Sequence, residues 1–187
     1  TKFKKVQDFQ AKYVLLNQTR SGAIPLTIAA FGNVAIEGRD KEFFGSDYQF
    51  SQRLSYFGQL IVSRKITDAL SIQASAGYLH FNMTDSLIDH DKLFVSFAGR
   101  YKLAGSTSII ANYDLPLFPE GIREYAEVTN KATANFGVGV EIGTATHRFQ
   151  IFLGSSDKIV PQQTFHYNQN EFFKGGMLLG FNLTRLF

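Results

Sequence analysis

The stretch Ala132-Thr-Ala-Asn-Phe-Gly-Val-Gly-Val-Glu-Ile-Gly143 alternates without a break. Ala132, Ala134, Phe136, Val138, Val140 and Ile142 fall on one side of an extended chain; Thr133, Asn135, Gly137, Gly139, Glu141 and Gly143 fall on the other. Successive side chains of a strand point to opposite faces, so the pattern predicts a β-strand with one apolar and one polar face. The C-terminal run repeats it: Met177, Leu179, Phe181, Leu183 and Phe187 against Leu178, Gly180, Asn182 and Thr184, with Arg185 the one charge on the apolar side.

Seven further runs follow the same period, at about 7–18, 24–37, 51–65, 69–82, 92–103, 107–117 and 147–156. In 24–37 the apolar side is Ile24, Leu26, Ile28, Ala30, Val34 and Ile36; in 92–103 it is Leu93, Val95, Phe97, Tyr101 and Leu103. No segment carries a helical period of useful length. The chain is therefore expected to be all-β, a single domain over 1–187 with nine strands.

A soluble sandwich or lipocalin-like barrel and a membrane barrel all alternate in this way. The runs are longer than the roughly 5–6 residues of an ordinary strand and reach the roughly 9–11 needed to cross a bilayer. Their polar side is small and mostly uncharged, dominated by Gly, Ser, Thr, Asn and Gln, which suits a barrel interior better than a water-facing surface. Connector lengths alternate as well. Short ones are expected around Thr19–Ala23, Ile66–Asp68, Ala104–Ser106 and Thr144–Ala145, and long ones at 38–50, 83–91, 118–131 and 157–174. Short periplasmic turns and long extracellular loops characterise outer-membrane barrels. The expected fold is a closed antiparallel transmembrane β-barrel with the C-terminus on the short-turn side. Nine strands cannot close such a barrel, since an even number is needed; an odd number of further strands is expected before Thr1.

Composition narrows the function classes. No uninterrupted apolar stretch is long enough for a transmembrane helix. With no cysteine, neither a disulfide framework nor a thiolate metal site is available. The net charge of +3 does not gather into a basic stripe apart from Lys2, Lys4 and Lys5, so nucleic acid is not an expected partner.

The ending Gly180-Phe-Asn-Leu-Thr-Arg-Leu-Phe187 resembles the C-terminal signal by which the barrel-assembly machinery recognises bacterial outer-membrane proteins, with Gly180, Phe181, Leu183 and Phe187 as its carriers. The body of the chain resembles a family of Bacteroidota outer-membrane barrels, the membrane-bound β-barrel domain of unknown function. The matching stretches are Lys12-Tyr-Val-Leu-Leu16, Pro25-Leu-Thr-Ile28, Lys65-Ile-Thr-Asp-Ala-Leu-Ser-Ile72 and the closing octapeptide. The resemblance implies that this chain is the C-terminal part of a barrel of about twelve strands, three more than the nine seen here. It implies integral location in the outer membrane and no activity.

Candidate chemistry is sparse. His80 and His90 stand near Asp85, Asp89 and Asp91 in sequence, but the spacing matches no metal pattern, and no metal or other cofactor is expected. His80 continues the outward set Ala74, Ala76, Tyr78, as the base of an outer-face lipid hydrolase would. The outward positions beside it are Leu54, Tyr56, Leu93 and Val95, while Ser55 and Ser96 fall on the inward parity, so the nucleophile is lacking. The inward charges are Lys12, Glu37, Arg53, Arg100, Lys102, Asp114, Glu141 and Arg148, with inward Phe31, Phe57, Phe94 and Phe152 adding bulk. They either line a selective pore or pair within a filled interior, and a narrow or filled lumen is expected. If Thr144–Ala145 is the turn, Glu141 faces Arg148 and Val140 faces Phe149.

The long loops carry Phe43, Phe44, Tyr48, Phe118, Tyr125, Phe165, Tyr167, Phe172 and Phe173. These are candidates for a partner interface, a plug in the mouth, or an aromatic girdle. The expected function is a non-enzymatic outer-membrane barrel, a narrow passive conduit or a scaffold for other outer-membrane or periplasmic proteins. Its expected contacts are outer-membrane lipid and lipopolysaccharide, with the assembly machinery during biogenesis. A lipid-modifying enzyme and a soluble sandwich that binds a ligand are the alternatives.

Overall fold

Each alternating run forms one strand. The computed structural model describes residues 5–85, 87–125 and 131–185. The strands are β1 (Val6–Leu16), β2 (Thr27–Glu37), β3 (Leu54–Lys65), β4 (Leu70–Phe81), β5 (Asp91–Ala104), β6 (Thr107–Leu117), β7 (Asn135–Gly143), β8 (His147–Gly154) and β9 (Leu178–Arg185). They pair antiparallel in sequence order as one nine-stranded meander, curled into a half-barrel. Phe187, the last of the expected assembly-signal residues, lies outside the described residues.

The two faces differ in chemistry. The convex face carries Leu60, Ile72, Phe97, Ile109, Val140, Ile151 and Phe181, all between 40% and 59% exposed. The concave face carries the polar set, with Ser55, Ser75, Ser108 and Glu141 buried. A protein folded in water puts its apolar side chains on the enclosed face; here they stand on the outer one.

Register departs from expectation in places, each with a local cause. At β7–β8, Glu141 lies opposite Gln150 and Val140 opposite Ile151, while Arg148 lies opposite Gly143. The turn closes on Thr144 and His147: the Thr144 N–H donates to the His147 carbonyl (2.7 Å) and the His147 N–H donates to Thr144 Oγ1 (3.0 Å). The tight turn is therefore Ala145–Thr146. The pairing moves by two residues, which preserves the face of every side chain. The connector after β1 runs over 17–26, longer than the short turn expected there. Thr19 donates its N–H to the Ile24 carbonyl and accepts the Ile24 N–H at Oγ1, both at 3.0 Å. Pro25, lacking an N–H, does not extend the ladder. Residues 132–134 continue the alternation but leave the sheet, because the Thr133 N–H donates to the Asn168 carbonyl at 2.7 Å.

A short helix, α1 (Pro161–Tyr167), interrupts the connector between β8 and β9; the sequence period gives no sign of it. Pro161 opens it at a position where the missing N–H costs nothing. A seven-residue helix does not persist in water unaided, so packing against the sheet holds it. α1 sits on the concave side, where Phe165 joins Phe57, Leu79 and Phe94 in the buried cluster.

Candidate functional site

The concave groove has two parts, an aromatic plug toward the long-loop rim and a more polar stretch toward the short-turn rim. The plug is built on cross-strand neighbours: Phe57 of β3 faces Leu79 of β4, and Phe94 of β5 faces Gly77 of β4. Phe57 and Phe94 stack with centroids 4.7 Å apart. Phe165 of α1 completes the stack, 4.0 Å from Phe94 and 5.9 Å from Phe57. Gly77 is what lets Phe94 lie this low; a Cβ there would meet the ring and the Gly58 carbonyl oxygen. Phe152 likewise lies over Gly180 of β9 and Gly139 of β7. Inward aromatics thus cover glycines, as a filled interior requires.

Polar bonds tie α1 in place. Gln162, fully buried, donates its amide N–H to Asn33 Oδ1, and Asn33 donates to Asp8 of β1. Beside Phe165, His166 is fully buried against Phe81, with ring centroids 4.4 Å apart. Neither of its ring nitrogens has a hydrogen-bond partner among the described residues. Burial, with Lys92 and His90 adding repulsion, pushes its pKa down to about 2 from the ordinary 6.5. Lys92 is buried at the start of β5, its Nζ 5.1 Å from the Phe118 ring.

Below the plug, Ser63, Gln73, Arg100, Asn112, Gln150 and Asn182 border a cavity of about 510 Å³. Arg100 Nε donates to Glu141 Oε1 (2.9 Å), Arg148 Nη1 approaches the same oxygen (3.3 Å), and Gln150 Nε2 donates to Oε2 (2.9 Å). Asp114 accepts from the side-chain amides of Asn112 (2.9 Å) and Asn135 (2.7 Å). Arg100, Asn112 and Gln150 thus join the cavity wall to a net of amides and paired charges, while Phe152, Ile110 and Val138 give the wall an apolar part.

Seven of the eight charges expected inside stand on the concave side of their strands, Arg53 lies in the 3₁₀ turn Phe50–Arg53 before β3, and the eight do not form one site. Arg100, Glu141 and Arg148 cluster, and Asp114 belongs to the amide net. Arg53, just before β3, donates to the backbone carbonyls of Glu37 (2.7 Å) and Arg39 (2.5 Å) and to Tyr48 Oη (2.6 Å), closing the β2–β3 loop. Glu37 pairs with Arg39. Lys12, opposite Phe31, and Lys102, opposite Ser108, remain exposed. Asp8, Asn33 and Lys92 also belong to the interior; their parity was readable, but each stands toward a strand end or on a mixed face. Gln162 and His166 lie in a loop with no period.

The loop aromatics divide. Phe44 and Phe165 are buried, Phe172 packs on Phe136 (4.8 Å), and Phe43 and Phe173 are exposed. The Tyr125 N–H donates to Asp89 Oδ1 (3.2 Å).

On the convex face His80 is paired, its Nδ1 2.5 Å from Asp91 Oδ1 and its Nε2 2.9 Å from Asn82 Oδ1. Ser55 is buried on the opposite face, and Ser96 lies opposite buried Ser75 on that same face. No group of three or more His, Cys, Asp or Glu side chains among the described residues is placed to hold a metal ion.

A family model described as "Membrane bound beta barrel domain (DUF5777)" matches residues 1–187, the whole chain. No curated protein and no solved structure matches it.

Proposed function

Since this chain belongs to the family of membrane bound beta barrel domains, we propose that it forms part of a closed transmembrane barrel in a bacterial outer membrane and acts there as a narrow, non-enzymatic conduit for small polar solutes. The observation that carries the reading is the seating of α1: Phe165 stacked on Phe94 constricts one end of the groove, and a cavity bordered by Gln73, Arg100, Asn112 and Gln150 as well as by Phe152 and Val138 continues below it. An apolar convex face and a polar concave one suit lipid outside and water inside. β1 and β9 each leave an edge unpaired among the described residues. An open edge is not tolerated in hydrocarbon, so closure uses strands additional to these nine.

Phe181 and Leu183 stand exposed on the convex face of β9, which fits a surface read by assembly machinery, with lipid and lipopolysaccharide as its later neighbours. A scaffold role is favoured by one observation, the 85% exposure of Phe173 on the long-loop side. Planar-bilayer recording separates the two. A conduit gives small, steady conductance that rises when the Phe165 anchor is removed; a scaffold gives none with or without it.

A further inference from the structure

On the convex face, Tyr56 of β3, His80 of β4 and Asp91 of β5 stand directly across from one another, since Tyr56 pairs with His80 and His80 with Asp91. Tyr78, one step down the same face, donates its hydroxyl to Asp91 Oδ1, which also takes the His80 Nδ1 contact. Tyr56 stacks on His80 at 6.3 Å. Beside them Glu124 accepts from the backbone N–H of His90 (3.2 Å) and contacts its Nδ1 (2.7 Å). The cluster thus holds two carboxylates, and no Lys or Arg is bonded to either among the described residues. Both contacts to Asp91 use Oδ1, and Oδ2 has no bond among the described residues.

Immediately below lies a groove of about 480 Å³ bordered by Gly58, Leu60, Ala76, Tyr78, Leu93 and Leu117. Its floor is Gly58 and Ala76. On the concave face, Gly77, Gly139 and Gly180 are covered by aromatics. Gly58 lies directly opposite Tyr78, yet a Cβ on it would touch nothing within 4 Å. The Tyr78 hydroxyl is bonded to Asp91, and the ring leaves Gly58 uncovered.

Asp91 opens β5 at the long-loop rim, where a charge on the outer face is tolerated, and an apolar groove that ends at it suits a ligand with the same division. We propose that this groove and cluster bind one lipid molecule, its acyl chain over Gly58 and Ala76 and its headgroup, bearing a primary ammonium, against Asp91 and Glu124. The ammonium supplies donors to Asp91 Oδ2 and to Glu124, and Tyr56 offers a ring face to the same cation. The inference rests on the membrane-spanning reading.

The test extracts the full chain in mild detergent and measures, by native mass spectrometry, retention of phosphatidylethanolamine against phosphatidylglycerol with matched acyl chains. The parent retains the ethanolamine lipid in preference. Gly58→Leu fills the groove where nothing is in the way, and retention falls about tenfold, the loss of roughly one well-placed contact. Asp91→Asn still retains lipid but loses the headgroup preference. Equal retention of both lipids by the parent, or retention unchanged in Gly58→Leu, would overturn the proposal while leaving a detergent-requiring barrel intact. A chain that stays monodisperse without detergent would instead overturn the membrane reading on which the proposal stands.

Discussion

The ring of Phe165 lies against that of Phe94, centroids 4.0 Å apart and planes 27° from parallel. One residue of a seven-residue helix thereby fixes a long connector to the middle of the sheet. Truncating a buried Phe costs about 3–5 kcal/mol, enough to undock a segment this short. Phe165→Ala is expected to leave the strands folded and to make the connector between β8 and β9 sensitive to protease. Protection equal to the parent's would mean that the Gln162–Asn33 bond holds α1 alone.

The carboxylate of Glu141 takes bonds from Arg100, Arg148 and Gln150. It is buried, whereas its arginine partners are 38% and 46% exposed at the side chain, so water screens much of the attraction. Glu141→Gln is expected to lower stability by on the order of 1–2 kcal/mol and to leave two uncompensated guanidinium groups beside the cavity. The reversal potential in a salt gradient should shift toward anion selectivity. An unchanged reversal potential would place these groups outside the permeation path.

A Cβ on Gly77 would collide with both the Phe94 ring and the Gly58 carbonyl. Gly77→Ala is expected to cost about 1–3 kcal/mol by overpacking, read as a lower urea midpoint of the detergent-folded protein. Gly99, whose Cβ would meet nothing within 4 Å, is the control, and Gly99→Ala should be close to neutral. Equal effects at the two positions would argue against the Phe94 packing.

His166 is held neutral, its pKa depressed to about 2 from 6.5 by burial and by the nearby Lys92 and His90. Undocked, it binds a proton below about 6.5; docked, it does not. Docking is therefore at full strength above that pH and weakens as pH falls, by about 1.4 kcal/mol per unit. Conductance should rise between pH 6.5 and 5, and His166→Phe should flatten the profile. A parent whose conductance is unchanged across that interval would contradict the burial of His166.

Strand number and the side of the charges within strands were legible because alternation is local: Glu141, Arg148 and Asp114 each declare their side within a few residues, whereas Arg53 lies in a 3₁₀ turn that the period does not reveal. Pairing was less legible. At β7–β8 two threonines flank the turn, and only the hydrogen-bond geometry of Thr144 with His147 decides which pair closes it. Residues 132–134 keep the period yet pair with Asn168, because period identifies a face and not a partner. α1 left no trace, since seven residues make too little of a helical stripe to stand out. The His80–Asp91 contact was half visible: the parity put His80 outside, but the reach of Asp91 across the strand pair depends on register.

The central claim is that the apolar convex face meets lipid and the polar concave face meets water. The chain has no cysteine, so single cysteines placed along 135–143 report alone. Spin labels on them should alternate, with oxygen access high at 136, 138, 140 and 142 and access by a water-soluble nickel complex high at 135, 137, 139 and 141. That alternation in reconstituted bilayers is the result expected. Labels at 138 and 140 that are open to the nickel complex and shielded from oxygen would contradict the membrane-spanning account.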